Sequence, residues 1–150
     1  MGDVPGAIGE FRKALAINSN LSTAHCNLGI VLVAKGDYQE AIAHLERAIA
    51  MGVDQPDLHN GLGVAYRRVN QPARAIEHLQ KAIQQKPDYA EAYANLCQLL
   101  AAESRSNEAV AMAERGIEAA RSHDQRAIAE QLEDWIRHYQ TELQRSATKP

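Results

Sequence analysis

Six histidines and two cysteines are the side chains of this 150-residue chain best suited to hold a metal or act as nucleophiles. Zinc needs several such ligands converging on one point at ~2.0–2.1 Å. The histidines are spaced in a regular way: the interval from His25 to His59 is the same as that from His44 to His78. The run "GLG" at 61–63 is glycine-rich, but no strand precedes it, so it is not a phosphate-binding loop. Lysines and arginines are scattered without interleaved aromatics, which argues against a nucleic-acid surface. What these groups can do depends on the elements that place them.

The spacing of the histidines belongs to a repeat that runs through the chain. Ala7, Ala41, Ala75 and Ala109 are separated by the same interval. Ile8, Ile42, Ile76 and Val110 follow in step, as do Leu28, Leu62 and Leu96. A fixed period of this length marks a repeat architecture. Within a unit, Ala41, Ile42, Leu45, Ala48 and Ile49 fall on one stripe of a helix. Leu28 and Leu32 do the same in the preceding stretch. Each unit therefore reads as helix A, a turn, helix B and a turn. Gly36 and Gly52 fall just past helix ends, and Pro56 and Pro72 at helix starts. Asp37 with Glu40, Asp88 with Glu91, and Ser122 with Gln125 have capping-box spacing.

Equivalent positions in successive units should lie about 10 Å or more apart, one helix-pair spacing. His25 and His59 then cannot share a metal, and the histidines are expected to be packed or solvated. Cys26 and Cys97 are about two units apart, beyond the ~7 Å Cα limit of a disulfide. Cys97 reads as a small packing residue. Cys26 is expected to face a groove and to be reactive. No metal, cofactor or catalytic constellation is expected, so the chain reads as no enzyme.

Bulk properties agree with this. The net charge of −3 gives no reason to expect nucleic acid or an anionic membrane. The longest apolar run, "IVLVA", is far short of the roughly 20 residues of a membrane span. The low aromatic share of 5 % suits thin layers of closely packed helices rather than one thick core. A cytoplasmic location is expected.

The length of the period, its two helices and this residue pattern resemble the tetratricopeptide repeat. His25, His59 and Tyr93 stand at its aromatic position, Leu28-Gly29, Leu62-Gly63 and Leu96-Cys97 at its Leu-Gly position, and Pro87 at its late proline. The resemblance implies an all-α, right-handed α-solenoid forming a single domain over 1–150. A half repeat at 2–21 would precede full repeats at 22–55, 56–89 and 90–121. A C-terminal capping helix at 122–145 and a disordered tail at 146–150 would follow. Leu-Gly is replaced by Glu130-Gln131 in that last helix, whose apolar stripe carries Trp135 and Tyr139. Trp135 or Tyr139 is expected to cover the gap left by Ala113 and Gly116.

The first helix B, at 4–17, has no helix A before it, so Ala7, Phe11 and Leu15 should be partly wet. Either the chain is the C-terminal piece of a longer repeat protein or a second copy covers that face. A cap at the far end alone favours the first.

The resemblance also implies that helices A line a concave face that holds extended peptides. The positions that point inward and could bind are Asn27, Ile30, Val33, Asn60, Val64, Arg67, Arg68, Asn95 and Gln98. Asn27, Asn60 and Asn95 are expected on a shared wall, where an amide can both donate to and accept from a peptide backbone. Gly61 interrupts the row, Ile30 and Val33 form an exposed apolar patch, and Arg67 with Arg68 makes a positive spot. Members that grip a chaperone's C-terminal carboxylate need Lys, Asn and Arg where this chain has Cys26, Ile30, Gly61, Glu91 and Asn95, so that partner is rejected. The expected function is a non-catalytic scaffold that binds a protein or peptide. The alternatives are homo-oligomer assembly through the N-terminal half repeat, or an accessory segment of a larger enzyme.

Overall fold

The computed structural model describes residues 3–147, all of it helix and connection, with no strand among the described residues. Residue 2 of the expected half repeat and residues 148–150 of the expected tail lie outside them. The helices form two compact units, divided after Gln85.

The first unit contains α1 (Val4–Ile17), α2 (Ser22–Lys35), α3 (Tyr38–Ala50), α4 (Pro56–Arg68) and α5 (Pro72–Gln85). Helices α2 and α3 pack as one hairpin and α4 and α5 as the next, while α2 also meets α4, and α1 meets α2. The repeated residues explain the pairing. Leu28, Leu45, Leu62 and Leu79 are wholly buried, as are Ala41, Ala48, Ala75 and Ala82. A Cβ at Gly29 would sit 2.5 Å from Leu45 Cγ and 3.2 Å from the Ala41 carbonyl oxygen. A Cβ at Gly63 would sit 2.5 Å from Leu79 Cγ and 3.3 Å from the Ala75 carbonyl oxygen. In both repeats a leucine of helix B occupies the place where helix A lacks a side chain.

The second unit contains α6 (Ala90–Ala102), α7 (Ser106–Ser122) and α8 (Arg126–Ala147). Gly116 is buried, and a Cβ there would lie 2.8 Å from both Leu132 Cδ1 and Tyr93 Cβ. Leu132 and Tyr93 fill the gap at Gly116, which corrects that part of the expectation for Trp135 and Tyr139. Trp135 does pack against the Cys97–Ala113–Leu132 cluster, as expected for Ala113, and stacks on Tyr139 at 4.8 Å. Tyr139 Oη lies 3.0 Å from Ser106 Oγ. The shorter branched side chain reaches the glycine because it sits one turn nearer the start of α8.

The helix starts also differ from expectation. Asp37 is the residue before α3, but its carboxylate accepts from Lys35 Nζ at 2.6 Å rather than from the helix. Asp88 pairs with His123 at 2.7 Å, and α6 begins only at Ala90. Ser122 closes α7, its hydroxyl donating to the Ala119 carbonyl. Asp3 caps α1, accepting from the Gly6 amide at 3.0 Å.

The turn between helices A and B recurs with the same backbone. Gly36, Asn70 and Ser104, one period apart, have φ of 95°, 58° and 60°. The next amide in each case donates back over the helix end, from Asp37 to Leu32, Gln71 to Tyr66 and Arg105 to Leu100. A residue with a Cβ is strained there by ~1–2 kcal/mol. Ser104→Gly is therefore expected to stabilise the chain by about 1 kcal/mol, measured as a rise in the urea midpoint.

Candidate interaction surface

Helices α2 and α4 lie side by side in the first unit, and their positions away from α3 and α5 are the ones expected to bind. Asn27 is exposed, and Ile30 and Val33 are half-buried. On α4, Asn60, Val64 and Arg67 are half-buried and Arg68 is exposed. The seam between the two helices runs through Gly61. A Cβ there would lie 3.9 Å from both Ile30 Cγ1 and Val33 Cγ2, and 3.4 Å from Leu45 Cδ1.

Two corrections follow. Ile30 and Val33 are not an exposed patch, because they fill the seam and show only their outer edges. Gly61 is no gap in a row of ligand-facing groups, since it is buried where α4 approaches α2 and α3. The structure thus sets Gly61 of α4 near Ile30 and Val33 of α2, and Asn27, Asn60 and Val64 belong to the same two helices. Arg68 reaches back over the Tyr38 ring, 5.8 Å from its centroid, a cation–π arrangement that holds the guanidinium near the A–B turn. Asn95 and Gln98 occupy the corresponding face of α6 in the second unit, half-buried and exposed respectively.

Cys26 does not face a groove. It is only 3 % exposed, and burial first, then the charge of Asp57, push its thiol pKa up. A thiol held protonated is a poor nucleophile. Cys97 is also buried and reduced.

The histidines are arranged in a way that comparison between repeats misses. Within a repeat, His25 and His44 face each other with their Nδ1 atoms 2.8 Å apart, and His59 and His78 do the same at 3.0 Å. The separation is 19 residues in both. It carries the chain along helix A, round the turn and back to the same level on helix B. Among the described residues no three His, Cys, Asp or Glu side chains gather as a metal site.

Each pair sits in a polar setting. His25 Nε2 lies 3.1 Å from the Ser19 carbonyl oxygen, and His59 Nε2 lies 2.7 Å from Asp54 Oδ1. Asp54 also accepts from Gln85 at 2.7 Å and pairs with Lys81 at 3.4 Å. His59 first, then Gln85, hold the Asp54 carboxyl pKa down to about 2. His78 stacks on Tyr66 at 5.6 Å, and Tyr66 bonds Glu46 while accepting from Arg74 at 3.2 Å.

Two family models, both described as tetratricopeptide repeat, match the chain at residues 26–90 and 66–132. No curated protein sequence matches. Among solved structures, MamA is 21 % identical over 99 % of this chain and 93 % of its own, with a TM-score of 0.71. YrrB, described as a TPR protein with an unusual peptide-binding site, is 25 % identical over 93 % of this chain and 79 % of its own, with a TM-score of 0.68. The O-GlcNAc transferase of Thermobaculum terrenum is 27 % identical over 81 % of this chain, which spans 23 % of that protein, with a TM-score of 0.68. Among the described residues no helix is long and apolar enough to cross a membrane.

Proposed function

From the premise that the chain belongs to the tetratricopeptide-repeat family, whose fold serves protein–protein interaction, we infer that it is a non-catalytic scaffold holding an extended peptide. The observation that carries this reading is the α2–α4 contact of the first unit, where Gly61 lies near the half-buried Ile30 and Val33 on helices that also carry Asn27, Asn60 and Val64. An extended strand needs donors and acceptors along its backbone and shallow apolar contacts for alternate side chains. Amides beside a half-buried aliphatic strip meet both needs. Arg67 and Arg68 favour an acidic residue near the end of α4. Asn95 and Gln98 give α6 the same chemistry in the second unit. Burial of Cys26 and Gly61 supports the exclusion of a chaperone carboxylate, since two positions of that grip are inaccessible. The peptide-binding description of YrrB adds support from a protein of similar fold.

A random peptide library should yield ligands whose affinity falls about tenfold with Asn27→Ala and more with Val64→Asp, with the urea midpoint of Asn27→Ala unchanged. Ligands bound equally by both variants would remove the reading. The second reading, self-association, is favoured by α1, where Ile17 is 90 % exposed and Phe11 and Leu15 are only half-buried. Light scattering on the same samples separates the two, since assembly raises the mass without peptide.

A further inference from the structure

We propose that the His25–His44 and His59–His78 contacts are a paired acid sensor, which loosens the helix hairpins of the first unit when a second proton enters either pair. It stands whether or not α2 and α4 carry a ligand.

The atoms in contact decide the protonation. An Nε2 that faces an oxygen must carry hydrogen, so His25 donates to the Ser19 carbonyl and His59 donates to the Asp54 carboxylate. In their neutral forms the Nδ1 atoms of His25 and His59 are then bare and accept from the Nδ1–H of His44 and His78. One extra proton is tolerated in each pair, because a single imidazolium still presents one Nδ1–H to one lone pair. A second is not. It would set two N–H groups and two positive rings against each other at 2.8–3.0 Å. The separation must then widen, and since each pair bridges helix A to helix B, α2 must part from α3 or α4 from α5.

The rings differ in exposure, with His25, His44 and His78 half-buried. His59 is wholly buried. His44 faces Glu40 of its own helix and Arg12 of α1, and these two are joined to each other at 2.7 and 3.0 Å. His78 faces Glu77 and Lys81 of α5, Glu46 of α3 and the Tyr66 ring of α4. Burial first, then the partner histidine, hold the pKa of both His44 and His78 below the ordinary value. Asp54, at about 2, stays charged throughout the range in which histidines titrate.

The sign follows from proton counting. An unfolded histidine titrates near pH 6.5, so below that pH an open pair binds two protons where a closed pair binds one. Stability is complete above pH ~6.5 and falls as acid is added. Each pair raises the unfolding constant about tenfold per pH unit, and the two together about a hundredfold.

The test is urea unfolding of the full chain from pH 7.5 to 5.0, wild type against the double variant His44→Gln with His78→Gln. A glutamine amide turns to donate to a neutral ring or to accept from a protonated one, so it excludes no proton. His123 and His138 are present in both proteins, so the comparison isolates the two pairs. The wild type should lose stability with a slope about two protons steeper than the variant. Parallel curves would overturn the assignment. If the variant does not fold, long-range proton–nitrogen spectra of the wild-type rings give the count directly. One added proton per folded pair supports the sensor, and two imidazolium rings in one folded pair refute it.

Discussion

Leu79→Ala is expected to destabilise the chain by about 2–5 kcal/mol, and adding Gly63→Ala should return part of that loss rather than deepen it. Leu79 is wholly buried, so truncation removes its transfer energy and leaves a cavity. Gly63→Ala alone places a methyl 2.5 Å from the branch carbon of Leu79. That overpacking costs about 1–3 kcal/mol, offset by about 1 from the better helix former. With Leu79 shortened, both leucine contacts at 2.5 and 2.8 Å disappear and only the Ala75 carbonyl oxygen, at 3.3 Å, stays close to the methyl. Urea unfolding of the two single variants and the double variant should give a coupling of about 1–3 kcal/mol in favour of the double. Additive losses would mean that α4 and α5 can separate to make room, contrary to the close approach described.

The second large effect concerns α8. Leu132→Ala is expected to cost about 2–5 kcal/mol, because Leu132 fills the hollow at Gly116 and anchors the cluster with Cys97 and Ala113. Trp135, the one tryptophan in the sequence, lies at the edge of that cluster and reports its release. Its emission should shift to longer wavelength at a lower urea concentration than in wild type. Trp135→Phe should cost less than Leu132→Ala, since Trp135 is only half-buried.

The helices were legible in the sequence because period and burial coincide: the alanines and leucines that recur from one full repeat to the next are the buried ones. Gly29 and Gly63 were legible as close-approach points for the same reason. Capping was not, because an acidic residue before a helix has competing partners. Lys35 takes Asp37, and His123 takes Asp88. Nor were the left-handed turns at Asn70 and Ser104, whose residue types hide an equivalence that only their spacing from Gly36 reveals. The histidine pairs escaped because helix A and helix B are antiparallel, so neighbours across the hairpin are set by turn length rather than by the repeat. Of the surface residues, Asn27 and Arg68 are exposed, as their positions in the repeat suggest. The sequence could not tell that Ile30 and Val33 are half-buried near Gly61, because what covers them is the next repeat's helix rather than anything in their own.

The recurrence of one left-handed turn and one glycine–leucine contact bears on how such a chain can change length. Excision or duplication of a whole period, joined at Gly36, Asn70 or Ser104, returns like side chains to like places. A splice half as long would set the outward face of one helix where an inward face belongs. Growth and loss in this lineage should therefore proceed in whole repeats, much as a staircase is extended only by complete steps.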